Sequence, residues 1–311
     1  MKDMLVTLIG GGGFVGRYVA QELLKTGARV RIAQRDPKSA FFLKTQGALG
    51  QMQYAAVDVT KPDSIARAVR GSDAVVNLVG VLSGNFQRVQ VEGAENVAKA
   101  AAAEGVAALV HVSAIGADAE SDSAYGRSKG EGEAAVRAAF PTATILRPSI
   151  VFGREDQFVN RFAAMIAAFP VVPVLRAGAK FQPVYVADVA EGAAQAALQP
   201  GRFGGASYEL GGPDVVSMGE LIRWIANAIG RDPSIIELPD LAGAALSNLG
   251  FLPGAPITRD QWKMLQKDNI VTGTNGLEAF GITPTPMASV AHAWLVRYRR
   301  EGRFGTLGQI T

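Results

Sequence analysis

The run LVTLIGGGGFVGRYVAQELLKTG, from Leu5 to Gly27, places a short apolar segment before a glycine cluster, an amphipathic stretch and another glycine. The apolar part, Met4–Ile9, is too short for a secretory signal, and no small-residue cleavage pattern follows it. It reads as a buried strand that enters a glycine loop and then a helix. Gly10 can make the tight turn, Gly13 lets a backbone approach a pyrophosphate, and Gly16 allows close packing of helix on strand. The free N–H groups of the helix start would face the anion. A lone glycine triplet is weak evidence, but here the strand, the helix and a following strand (RVRIA, from Arg29) are all present.

The same rhythm continues. QYAAVDV precedes a helix over Asp63–Arg70, and AVVNLVG precedes one over Val91–Glu104. ALVHVSA then leads into a helix over Tyr125–Phe140, which is followed by ATILRPS. Strands that are apolar on both faces and alternate with helices predict an α/β protein with a doubly wound parallel sheet. After Pro148 the prolines cluster and the pattern becomes irregular, which predicts a smaller C-terminal α/β substrate lobe. VYVADVAEGAAQAAL predicts a strand and helix that return to the first domain, and SMGELIRWIANAIG predicts an amphipathic helix capped by Ser217. The expected boundaries are 1–147 plus about 182–200 for the first domain, and 148–181 plus 201–311 for the second.

Composition narrows the chemistry. The chain has no cysteine, so disulfides and thiolate catalysis are excluded, and a cytoplasmic setting fits. Its 2 histidines, His111 and His292, lie far apart, so no metal site is expected. A net charge of +3 gives no argument for nucleic acid. No transmembrane helix is expected. Leu241–Ile257 comes closest, but it is short and interrupted by Gly and Pro. The basic tail from Val296 reads as a solvated helix end.

The glycine spacing is G-x-x-G-x-x-G, followed after Gly13 by Phe14 and Val15. It resembles the short-chain dehydrogenase/reductase superfamily, in its extended and atypical branches, and so implies a Rossmann domain that binds NAD(P). NAD-specific members place a carboxylate at the end of the second strand, where this chain has Gln34 followed by Arg35. A guanidinium suits a 2′-phosphate, so NADP(H) is the preferred cofactor. NAD(H) stays open through Asp36, if the strand runs longer. The resemblance also implies that Asp58 and Val59 flank the adenine, and that Asn77, Val79 and Gly80 lie by the ribose and nicotinamide.

In SAYGRSKGEGE, Tyr125 and Lys129 stand at i and i+4 and share one helix face. An ammonium beside a phenol would lower its pKa from about 10 and make an acid–base catalyst. With Ser113 ahead of them, the arrangement resembles the superfamily's Ser–Tyr–Lys triad. That implies Tyr125 as the proton donor, Lys129 as its tuner and as a ribose ligand, and Ser113 as the group that orients the substrate. Gly126, Gly130 and Gly132 each disfavour a helix interior by roughly 1 kcal/mol. Close packing would offset that, and a frayed helix start is the alternative.

LRPSIVFGRED, FQPVYVADVAEG, LGGPDVVSMGELIRWIANAIGR and PITRDQWKMLQKDNIV extend the likeness over nearly the whole chain. Together they resemble the atypical group that includes the alpha-subcomplex subunit 9 of respiratory complex I and its bacterial relatives. This implies two functions. One is an oxidoreductase, or an epimerase-like enzyme, acting on an apolar or quinone-like carbonyl. The other is a non-catalytic NADPH-binding accessory subunit of complex I, peripheral to the inner membrane. A sensor of the NADPH/NADP⁺ ratio is a third option. Phe162–Leu175 and Leu241–Ile257 would form either a second core or an apolar mouth. Arg147 reads as packing.

Overall fold

The computed structural model describes residues 4–248 and 257–304, in two compact units. Unit one comprises Met1–Pro148, Val186–Leu210 and Thr272–Thr283. It opens with β1 (Leu5–Ile9), α1 (Phe14–Lys25) and β2 (Arg29–Gln34). A 3-10 segment, Pro37–Gln46, leads to β3 (Met52–Ala56), α2 (Pro62–Val69) and β4 (Ala74–Asn77). A π-helical turn, Gln87–Glu92, runs into α3 (Gly93–Glu104). Then come β5 (Ala108–Val112), α4 (Ala124–Ala139) and β6 (Thr144–Pro148).

These strands and Ser207–Leu210 form one 7-stranded sheet, in the order Ser207–Leu210, β6, β5, β4, β1, β2, β3. Every pairing in it is parallel. This is the expected Rossmann architecture. All five side chains of β1 are buried, as a central strand covered on both faces requires. Ile9, Val75, Leu109 and Ile145 form a core with Ile65 of α2, Val97 and Ala101 of α3, and Val136 of α4. Helix α1 packs on the helix Val186–Leu198. The strand order reverses between β1 and β4, so a crevice opens beyond their carboxyl ends, the usual ligand position in such sheets.

The units differ from the expected boundaries in three places. Val184–Tyr185 does not join the main sheet; it pairs with Val151–Phe152 in unit two. The seventh strand is Ser207–Leu210, a segment the sequence reading gave to the second lobe, and Thr272–Thr283 also belongs to unit one. The helix Val186–Leu198 lies in unit one.

Unit two comprises Ser149–Tyr185, Gly211–Val271 and Pro284–Thr311. Its remaining strand pairs are Lys180–Phe181 with Val216–Ser217, antiparallel, and Val171–Leu175 with Ser234–Leu238, parallel. Helices Val159–Ala168 and Met218–Ala228 pack together. Ser217 and Glu220 close a reciprocal cap at the start of the second helix. Of the two apolar segments, Ala163, Ile166, Val172 and Val174 fill this unit's core, whereas Phe169, Val171 and Leu241 are exposed. Leu249–Pro256 lies outside the described residues. Among the described residues, no helix is long and apolar enough to cross a membrane.

Candidate nucleotide and catalytic site

The glycine loop has the shape its spacing suggests. Gly10 takes φ +83°, a left-handed conformation that favours glycine, and its N–H donates to the Ala33 carbonyl at 2.7 Å. A Cβ on Gly16 would stand 2.6 Å from the Gly11 carbonyl oxygen, so only glycine lets α1 begin this close to the turn. Gly13 is the N-cap and no side chain caps it, which leaves the first-turn N–H groups of Phe14, Val15 and Gly16 for an outside acceptor. Phe14 packs edge-on to Tyr18, with centroids 6.2 Å apart.

At the end of β2, Gln34 is locked in place. Its Oε1 accepts the Gly12 N–H at 2.9 Å, and its Nε2 donates to the Asp36 carbonyl and to Ser39 Oγ, each at 2.7 Å. The strand ends at Gln34, and the Asp36 carboxylate caps the following 3-10 segment by accepting the Lys38 N–H. Arg35 is exposed, and among the described residues it has no hydrogen-bond or ion-pair partner.

Asp58 and Val59 follow β3. The Asp58 carboxylate accepts from the Thr60 N–H (3.0 Å) and hydroxyl (2.8 Å), and these bonds hold it below the usual carboxylate range. Val59 is buried against Gly93, where a Cβ would come within 2.8 Å of it. At the end of β4, Asn77 is buried. Its Oδ1 accepts the Val79 N–H at 3.2 Å, and its Nδ2 faces His111 Nδ1 at 3.1 Å. Asn77 therefore shapes the turn that carries Val79 and Gly80. His111 is held neutral, because burial and the nearby Lys129 push it down to about 3.

The turn after β4 meets both the glycine loop and α4. A Cβ on Gly10 would lie 3.3 Å from Val79 Cγ2, and one on Gly80 would lie 3.3 Å from Lys129 Nζ. The structure thus brings Gly10, Val79, Gly80 and Lys129 into one contiguous line. Lys129 is buried, donates to the Val112 carbonyl at 3.3 Å, and stands 6.0 Å from the centre of the Tyr125 ring. Ser113, just past β5, is 5% exposed, and its Oγ is buried with no hydrogen-bond partner among the described residues. A buried hydroxyl without a partner is uncommon enough to suggest a ligand. The glycine cradle, the uncapped helix start and this hydroxyl all fit a bound dinucleotide.

One expectation about this pair is corrected. Lys129 was to lower the Tyr125 phenol; instead burial pushes Tyr125 up to about 12 and Lys129 down to about 8. Desolvation acts on both groups and disfavours the charged form of each. The Tyr125 ring packs edge-on to Phe86, at 6.1 Å and 79°.

The three α4 glycines are close-packing sites. A Cβ would meet Ser121 Oγ at 2.8 Å from Gly126, the Ala119 nitrogen at 2.3 Å from Gly130, and the Gln90 carbonyl oxygen at 2.4 Å from Gly132. Ser123 caps the helix by accepting the Gly126 N–H, so its start is not frayed. The sequence reading missed Gln90, His111 and Glu133. Gln90, in the π-helical turn, donates to Ser128 Oγ at 2.8 Å and accepts the Val81 N–H at 3.3 Å, linking α4 to the β4 turn. Glu133 takes a two-pronged grip from Arg147, with Nε–Oε1 at 2.9 Å and Nη2–Oε2 at 2.6 Å. Arg147 is thus a structural partner, as read. Its signal lay in the spacing, because Glu133 continues the i, i+4 series of Tyr125 and Lys129.

A model of the NAD dependent epimerase/dehydratase family matches residues 6–211. The chain belongs to this family. Within it, subunit 9 of the NADH dehydrogenase [ubiquinone] 1 alpha subcomplex, mitochondrial, from Rattus norvegicus is 35% identical, over 96% of this chain and 81% of its own length. The ceramide reductase of Caulobacter vibrioides is 30% identical, over 81% of this chain and 80% of its own. An Escherichia coli NADPH-dependent quinone oxidoreductase, solved with NADPH, superposes with a TM-score of 0.76 over 93% of this chain and 99% of its own. At 22% identity that likeness speaks to the fold. This member of the family is an NAD(P)-binding, epimerase- and reductase-like protein.

Proposed function

We propose that the chain binds NADP(H) in the cradle of Gly10, Gly13, Phe14, Val15 and Gly16, and reduces or isomerises an apolar carbonyl or quinone-like substrate. The observation that carries this is the buried Ser113 hydroxyl, unpartnered among the described residues, just past the end of β5, which lies next to β4, the strand whose following turn brings Gly80 beside Lys129. NADP(H) is favoured over NAD(H) because Gln34 and Asp36 are both engaged within the fold, which leaves Arg35 as the free charge for a 2′-phosphate. Asp58, Val59, Asn77, Val79 and Gly80 shape the walls of the nucleotide cleft.

When bound, the nicotinamide supplies or accepts a hydride. The chain's own residues handle the proton. Ser113 donates a hydrogen bond to the substrate oxygen and orients it. Tyr125, kept protonated up to about 12, donates its proton to that oxygen as it gains charge, and is reprotonated from water. Lys129 grips the ribose hydroxyls and stabilises the transient phenolate.

A second reading is favoured by the extent of the likeness to subunit 9, 35% identity over 96% of this chain. In it the same residues grip NADPH in an accessory subunit of respiratory complex I at the membrane periphery, and Tyr125 meets no substrate. The test is to identify the nucleotide retained after mild purification, and then to follow NADPH oxidation with quinone and carbonyl substrates. Turnover lost in Tyr125→Phe with NADPH binding retained supports the enzyme. Absence of turnover together with co-purification of complex I subunits overturns it in favour of the second reading.

A further inference from the structure

Tyr125, Lys129 and Glu133 lie at successive i+4 steps on one face of α4. Lys129 and Glu133 are 5% and 4% exposed, so neither charge is held by water. Among the described residues the Lys129 ammonium makes one hydrogen bond, to the Val112 carbonyl, which cannot neutralise it. The charged and titratable groups around it come from three elements. On α4 they are Tyr125 and Glu133. On β5 there is His111, which is neutral, and on β6 Arg147, whose guanidinium is engaged by Glu133. Gln90 of the π-helical turn and Gly80 of the β4 turn face it without charge. Glu133 is therefore the anion available to Lys129, and Arg147 fixes where that carboxylate points.

We propose that Glu133, held by Arg147, is a positioning residue that keeps Lys129 charged in its buried setting and so sets the pH range over which the chain grips its nucleotide. The second half rests on the reading above that Lys129 meets the nucleotide ribose; the first half does not. Burial pulls Lys129 down and Glu133 pulls it back up, giving a value of about 8 that leaves it mostly charged at neutral pH. Arg147 reinforces this by orienting the Glu133 carboxylate with two hydrogen bonds. A carboxylate one helical turn away lies close enough to move a buried ammonium by about one pH unit or more.

The test uses the full chain with ¹³C-labelled lysine, the Lys129 signal being assigned as the one lost in Lys129→Met. Its titration is followed in wild type, Glu133→Gln, Glu133→Asp and the double variant Glu133→Gln/Arg147→Gln. The double variant removes both charges, so it tests the idea if the lone Arg147 of Glu133→Gln prevents folding. The expected midpoint falls by about one unit or more in the Gln variants and is largely restored by Asp. An unchanged midpoint in a folded Gln variant overturns the proposal. NADPH dissociation constants, measured by fluorescence from pH 6 to 10, separate the two parts. Affinity that falls with deprotonation of Lys129, earlier in Glu133→Gln, supports the whole. A midpoint that moves while affinity does not, or wild-type affinity in Lys129→Met, refutes the ribose reading and with it the second half alone.

Discussion

Gly132→Ala tests whether the glycines of α4 are there for close approach. The perturbation is a single methyl group. Its ideal position is 2.4 Å from the Gln90 carbonyl oxygen, where an ordinary contact is a full ångström longer. The neighbour is backbone in the π-helical turn, so no side chain can swing aside, and helix or turn must move. Overpacking of this kind costs about 1–3 kcal/mol, against a gain of about 1 kcal/mol in helix propensity. A net loss of up to about 2 kcal/mol would lower the melting temperature by up to about 8 °C. Gly192→Ala, in the helix Val186–Leu198, is the matched control. There the nearest atom to a new Cβ, Phe280 Cδ2, is at 3.6 Å, an ordinary contact, so only the propensity gain of up to about 1 kcal/mol is left. Thermal and urea denaturation of the two variants should therefore move in opposite directions. Gly132→Ala should also weaken NADPH binding, because it pushes apart the Gln90–Ser128 link that ties α4 to the β4 turn. If Gly132→Ala is as stable as wild type, or more so, the close-packing account is refuted.

Arg35→Ala should erase a preference for NADPH over NADH, measured as the ratio of dissociation constants, and leave NADH binding nearly unchanged. An unaltered ratio would move the 2′-phosphate contact elsewhere. Asn77→Leu leaves the Val79 N–H and the His111 ring without their partner, and should destabilise unit one by about 1–3 kcal/mol in urea titrations. Stability should also depend on pH in the alkaline range. Lys129 titrates at about 8 when folded and near 10.5 when unfolded, so the unfolded chain holds more protons between them. Its contribution to stability therefore rises across that window, by on the order of 3 kcal/mol. Tyr125, raised from 10.0 to about 12, has the opposite sign, and its contribution is lost as pH climbs through that interval. Denaturation midpoints from pH 7 to 11 should show the rise in wild type and not in Lys129→Met.

The parts of the fold that were legible in the sequence are those encoded locally. The strands of the main sheet up to Pro148 are rich in apolar residues and mostly alternate with helices, so six of them can be read without knowing the register. The glycine loop and the Tyr125–Lys129 spacing are also local, and the structure joins them through Val79 and Gly80. What escaped depends on which strand lies beside which. The edge strand Ser207–Leu210 reads SYEL and buries only Leu210, so it lacks the apolar run that marked the others. The tie between Asn77 and His111 exists because β4 and β5 pair these two residues in register, 34 positions apart. The Tyr125 pKa was misjudged for the same kind of reason. Spacing on a helix reveals a neighbouring charge, but the desolvation that outweighs it comes from everything else packed around the site. That desolvation also bears on mechanism. In the proposed reaction, a phenol pushed up to about 12 stays protonated at neutral pH, the form that a proton donor to a substrate oxygen needs.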